Sequence, residues 1–136
     1  MIPERYEPDD PREWLNRARS NLARASARVP GVYLEDFCFD AQQAAEKAIK
    51  AVLIARGVRF PYIHDLARLI ALLEENGEQT PEQIRESTRL TPYAWLSRYP
   101  GSLEQVTEAE YSQAVAVAER VVQWAEERVA NLGRTE

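Results

Sequence analysis

Phe39-Asp-Ala-Gln-Gln-Ala-Ala-Glu-Lys-Ala-Ile-Lys-Ala-Val-Leu53 is the stretch that decides how this chain folds. Its apolar positions recur at helical spacing. Together with Phe37 before it and Ala55 after it, they form a single stripe of Phe37, Ala41, Ala44, Ala48, Val52 and Ala55. Side chains this small let a neighbouring helix approach closely. A helix from about Tyr33 to Arg56 is therefore expected at the centre of a bundle, or as half of a dimer interface. Gly57 is its expected stop. At the border of the stripe, Gln43, Lys47 and Lys50 are spaced four and three apart and share one face. That face is expected at the solvent edge, aimed toward a loop that carries the chain's single histidine, His64.

Working outward, every long segment keeps helical periodicity and none alternates at period two. Upstream, Asp10-Pro11-Arg12-Glu13 gives an N-cap, a first-turn proline and an acid at the capping-box position. Trp14, Ala18, Leu22, Ala25 and Val29 are the expected inner face of that helix, which Pro30-Gly31 should end. Downstream, Val58-Arg-Phe-Pro-Tyr-Ile63 connects to a third helix from about His64 to Glu75, with Leu66, Leu69, Ile70 and Leu73 facing inward. Thr80-Pro81-Glu82-Gln83 signals a short helix capped by Thr80, fading near Arg89 because Pro92 disfavours helix at Thr91. A turn or two follows at Tyr93. The last helix opens on Thr107-Glu-Ala-Glu110 and runs to about Leu132, lined by Tyr111, Ala114, Val115, Ala118, Val122, Ala125 and Val129. The expectation is an all-α, antiparallel four- to five-helix bundle, one helical domain over residues 1–136 with a core of about 10–132.

A chain of 136 residues, 45% apolar and 29% charged, has the composition of a folded globular domain. No apolar run is longer than that of Ala51 to Ala55, far too short to span a membrane. The first ten residues lack an apolar core, so no secretory leader is expected and the chain is expected in the cytoplasm. The lone Cys38 is expected as a small buried apolar residue. A net charge of −5 argues against non-specific coating of DNA. The first helix nevertheless carries Arg12, Arg17, Arg19, Arg24 and Arg28, either a solvated face or a surface that docks an acidic partner or RNA.

The chain lacks the parts of most common enzymes. It has no phosphate-binding glycine loop and no nucleotidyltransferase Gly-Ser with paired aspartates, and one histidine assembles no serine or cysteine triad. One histidine and one cysteine also make a poor metal shell, so no metal and no cofactor are expected. What remains is an anion site. Lys47 and Lys50 are the only lysines among 17 basic residues, and together they raise the local positive potential for a phosphate. The plainer alternative has them lying along the helix with their ammonium groups in water, Lys50 paired to Glu46. His64 either caps the third helix, half buried, or serves as acid, base or phosphate ligand. Arg98 and Tyr99, before the Pro100-Gly101 turn, offer a bidentate donor and a hydroxyl, with Tyr93, Trp95 and Tyr62 as rings for a base or as the end of the core.

Taken together, Ala41-Gln-Gln-Ala-Ala-Glu-Lys-Ala-Ile-Lys-Ala-Val-Leu53, His64-Asp-Leu66 after a Phe-Pro connector, and Ser97-Arg-Tyr-Pro-Gly101 resemble the prokaryotic HEPN family, from about Trp14 to Arg128. The resemblance implies a four- or five-helix bundle, a two-fold homodimer, and a nucleotide-binding module on the toxin side of a pair with a minimal nucleotidyltransferase. Its ligand-binding residues would be Gln43, Lys47, Lys50, Tyr93, Arg98 and Tyr99. Many HEPN proteins are also metal-independent ribonucleases that use an arginine, four to six residues, then a histidine. Arg59-Phe-Pro-Tyr-Ile-His64 has that spacing, making His64 and Arg59 the catalytic candidates, with Arg98 as the alternative cation. In HEPN nucleases the motif opens a later helix, whereas here it spans a proline-containing connector. A third expectation is an adaptor that docks its partner through the basic first helix.

Overall fold

The computed structural model describes residues 2–96 and 105–134. Arg98 and Tyr99 therefore lie outside the described residues. Among the described residues six α-helices follow in order: α1 (Pro11–Ser26), α2 (Leu34–Ala55), α3 (Leu66–Glu75), α4 (Glu82–Arg85), α5 (Tyr93–Leu96) and α6 (Glu108–Arg134), with a 3-10 segment, Glu86–Leu90, between α4 and α5. The architecture is all-helical among these residues.

The pairs between helices give their directions. Arg28 meets Glu108 and Arg19 meets Glu126, so α1 and α6 run antiparallel. Asn21 meets Asp40 near the start of α2 while Trp14 lies against Lys50 near its end, so α1 is antiparallel to α2 as well. The crossover through α3, α4 and α5 then returns the chain so that α6 starts beside Glu35 and ends beside Arg56 and Glu78.

The centre of the molecule is α2. Ala41, Ala44, Ala45, Ala48, Ile49, Ala51, Val52 and Leu53 are all fully buried, and α1 and α6 are its most extensive neighbours. Alanine at these positions permits the close approach that the stripe implied. It is covered within one chain and needs no second copy to bury it. Gly57, in the left-handed region at φ +73°, lets the Val58 N–H return to the Leu53 carbonyl at 2.9 Å and closes the helix.

Local chemistry departs from expectation at several ends. The first helix stops at Ser26 rather than Pro30; Arg28 turns left-handed at φ +49°, and Val29 is 52% exposed instead of lining the inner face. Pro30 disfavours helix at Val29, and Arg28 is drawn to Glu108 and to the Tyr111 ring. Glu13 does not return to its own N-cap. It accepts the Tyr6 N–H and Arg17 Nε, tying residues 2–10 against α1. Thr80 caps no helix, because its hydroxyl donates to Glu74 at 2.7 Å and α4 begins after Pro81. On α6 the reciprocal Thr107–Glu110 capping box is present, at 3.0 and 3.1 Å, and the buried face includes Val117 and Val121, which the sequence did not single out.

Candidate functional site

The third helix begins slightly later than its sequence suggested. Asp65, not His64, is the N-cap, accepting the Ala67 N–H at 3.0 Å. His64 is thereby left on the connector with its ring free to face α2. Its Nδ1 lies 2.9 and 3.2 Å from the two carboxylate oxygens of Glu46. Among the described residues its Nε2 has no partner, and the side chain is 42% exposed.

Glu46 belongs to a buried polar column on one face of α2. Gln42 Nε2 donates to Glu46 Oε1 at 3.0 Å, and Lys50 Nζ donates to Oε2 at 2.9 Å. Both charged residues of that pair are only 3% exposed. Lys50 therefore does not reach the solvent edge where its helical position had put it. The cause is aromatic: its ammonium sits 5.8, 5.3 and 5.7 Å from the ring centres of Trp14, Phe60 and Tyr62. Trp14 from α1 and Phe60 from the connector meet edge to face at 5.8 Å and form the roof. A buried ion pair survives when its hydrogen bonds are completed, and here no buried side-chain polar atom is left unsatisfied among the described residues.

Lys47 occupies a second cluster one turn back. Its Nζ donates to Asn21 Oδ1 at 2.7 Å, and Asn21 Nδ2 in turn donates to Asp40 Oδ1 at 3.0 Å. Burial, together with Arg17 and Arg24 nearby, holds the Lys47 ammonium below its ordinary pKa, against the opposing pull of Glu46 and Asp40. Lys47 lines a cleft of about 290 Å³ with Tyr6, Pro8, Glu13, Trp14 and Arg17.

The other expected residues divide. Gln43 is half buried and donates to Gln42 Oε1 at 2.7 Å, steadying the column from beside it. Arg59 is exposed on the connector, without an ion pair or hydrogen bond among the described residues. Tyr93 lies elsewhere. It packs near Cys38, Glu35 and Glu110, where burial pushes its hydroxyl up to about 12. Cys38 and Lys50 are twelve positions apart on α2, about 18 Å along the axis, so Tyr93 does not share a site with His64. Tyr62 does: its ring stands 6.0 Å from the imidazole. Glu46 as the anchor of His64, Gln42 and the Trp14–Phe60 roof were missed as site components, although Gln42, Glu46 and Lys50 sit at successive steps of four. The arginines of α1 are each engaged within the chain, Arg12 with Asp10, Arg17 with Glu13, Arg19 with Glu126 and Arg24 with Asp40, as is Arg28 just beyond the helix with Glu108.

The chemistry this arrangement supports is that of an imidazole oriented by a buried carboxylate, which the buried Lys50 also shares, with the half-buried Lys47 on the same helix one residue after Glu46. No group of three or more histidine, cysteine or acidic residues able to hold a metal occurs among the described residues.

Comparison with known proteins settles the family. The model of the HEPN domain matches residues 11–128. The chain belongs to the HEPN family. Two solved structures are similar over nearly the whole HEPN domain. ST0689, an archaeal HEPN homologue, is 25% identical with a TM-score of 0.70, over 88% of this chain and 98% of that one. TT1696 from Thermus thermophilus is 30% identical with a TM-score of 0.71, over 87% and 97%. No curated protein matches this HEPN chain. None of its described helices is long and apolar enough to cross a membrane.

Proposed function

We propose that this HEPN protein binds a phosphate-bearing ligand, a nucleotide or RNA, along the Lys47–His64 edge of α2, and works as a homodimeric, toxin-side partner of a minimal nucleotidyltransferase. The observation that supports binding is the Glu46–His64 contact. A carboxylate on Nδ1 fixes the ring and turns Nε2 outward. Lys47, half buried and carrying a single hydrogen bond, supplies a localised cation nearby. Isothermal titration with ATP and with a short RNA tests the reading: Lys47→Ala and His64→Ala each weaken binding at least about tenfold, the worth of a charge-assisted hydrogen bond, without lowering the melting temperature. Undiminished binding by both variants overturns it.

The Glu46 contact also favours a second reading, a metal-independent ribonuclease. His64 would take the proton of a ribose 2′-hydroxyl on Nε2, the freed oxygen would attack the adjacent phosphorus, and the 5′-oxygen would leave as its bond breaks, taking up a proton from water. The products are a cyclic phosphate and a 5′-hydroxyl. Glu46 would stabilise the imidazolium and Arg59 the charge on the phosphorane. Cleavage of an RNA pool in chelator by the wild type, lost in His64→Ala, would establish it. The adaptor reading would draw on the basic first helix, whose arginines stay exposed although they pair within the chain.

A further inference from the structure

Tyr62 is 92% exposed, more than any other large apolar side chain among the described residues. Its ring is nonetheless held from behind. Lys50 Nζ lies over one face at 5.7 Å from the centre, and the His64 ring meets it near edge-on, at 70°. The backbone beneath is tightly turned, with the Ile63 N–H donating to the Pro61 carbonyl at 2.9 Å, and Pro61 fixes its own φ. The ring therefore stands beside the His64 imidazole, within cation–π reach of the Lys50 ammonium, with an open face toward solvent.

Such a face suits a planar, polarisable group. Every nucleobase offers one whatever its sequence, and stacking of bases on exposed aromatic rings is a general mode of single-strand recognition. We infer that Tyr62 is the stacking platform for one unpaired base of a nucleic-acid strand whose phosphate meets His64. This rests on the phosphate-binding reading above and narrows it. In a duplex both faces of an internal base are covered by its neighbours, so the ring has nothing to receive.

The test uses a 2′-O-methyl oligoadenylate strand, which cannot be cleaved through its 2′-oxygen, and fluorescence anisotropy on the full chain. The same strand annealed to its complement, and an abasic strand of equal charge, serve as comparisons. The wild type binds the single strand more tightly than either. Tyr62→Ala loses about tenfold, the contribution of one stacked base, and falls to the abasic level, whereas Tyr62→Phe keeps wild-type affinity. An exposed side chain can be removed without unfolding, so equal melting temperatures accompany the loss. If single strand, duplex and abasic strand bind alike and Tyr62→Ala changes nothing, the platform is overturned while phosphate binding stands. If no strand binds at all, both readings fall. If Tyr62→Ala loses self-association by sedimentation and keeps base-dependent binding, the ring belongs to a protein contact and the inference is overturned.

Discussion

One carboxylate serves a lysine, a histidine and a glutamine. Glu46 holds Lys50 Nζ at 2.9 Å through Oε2 and His64 Nδ1 at 2.9 Å through Oε1, and Glu46 itself is 3% exposed. With the imidazole neutral the cluster carries no net charge. Histidine orientation and interior stability thus depend on the same side chain.

Glu46→Gln strands the buried Lys50 ammonium without its counter-charge and costs about 3–5 kcal/mol of folding stability in urea. Adding Lys50→Met to the same chain recovers most of that loss, because an apolar side chain suits the Trp14–Phe60–Tyr62 enclosure. Ligand binding stays lost, since His64 no longer has its orienting acid. A single variant as stable as the wild type would show that the pair is not closed to water.

The pH dependence of stability should report Glu78. Burial alone would raise its carboxyl, but hydrogen bonds from Arg128 and Arg56 outweigh burial and leave it below the ordinary 4.5. The unfolded chain takes up the proton first as pH falls, so this contribution is complete above pH 4.5 and is lost on descending through the folded value. Glu78→Gln lowers stability at neutral pH and flattens the acid limb below pH 4.5 in denaturation series.

Lys47 titrates in the opposite sense. Its folded pKa is held below 10.5, chiefly by burial, so between the two values the unfolded chain binds the extra proton and stability rises with pH. Relative to Lys47→Met, the wild type gains stability as the pH climbs toward 10.5 and levels off above it. Parallel thermal melts of the two proteins would show this, and a constant difference would refute it.

Cys38 should be silent to alkylating reagents. It is fully buried, and burial, with Glu35 nearby, pushes its thiol up to about 12, leaving almost no thiolate near neutrality. Iodoacetamide labelling should follow unfolding in urea, so rapid labelling of the native protein would contradict the packing of α2.

The helices are legible in the sequence because their signals are local. The alanine stripe of α2, the Thr107–Glu110 box and the Gly57 stop each need only neighbours within a few residues. What the sequence hides is long-range. Lys50 has a visible partner four residues back, yet its burial depends on Trp14 and Phe60, which arrive from α1 and the connector. His64 reads locally as a cap, but Asp65 takes that position and leaves the imidazole to Glu46, 18 residues away. Tyr93 joins the lysines only by residue type, whereas the crossover places it beside Cys38. The end of α1 is not readable from its own residues, because Arg28 is a good helix former and its turn is made by Glu108 in a helix 80 residues later.

The aromatic enclosure of Lys50 also constrains how this surface can drift over generations. Neither member of the buried pair can be exchanged alone without leaving a bare charge among rings. Substitutions at 46 and 50 must therefore arrive together or through a weakened intermediate, while the exposed Tyr62 can change without leaving a buried charge unpaired. Lineages that abandon the ligand should lose the ring first and the pair last.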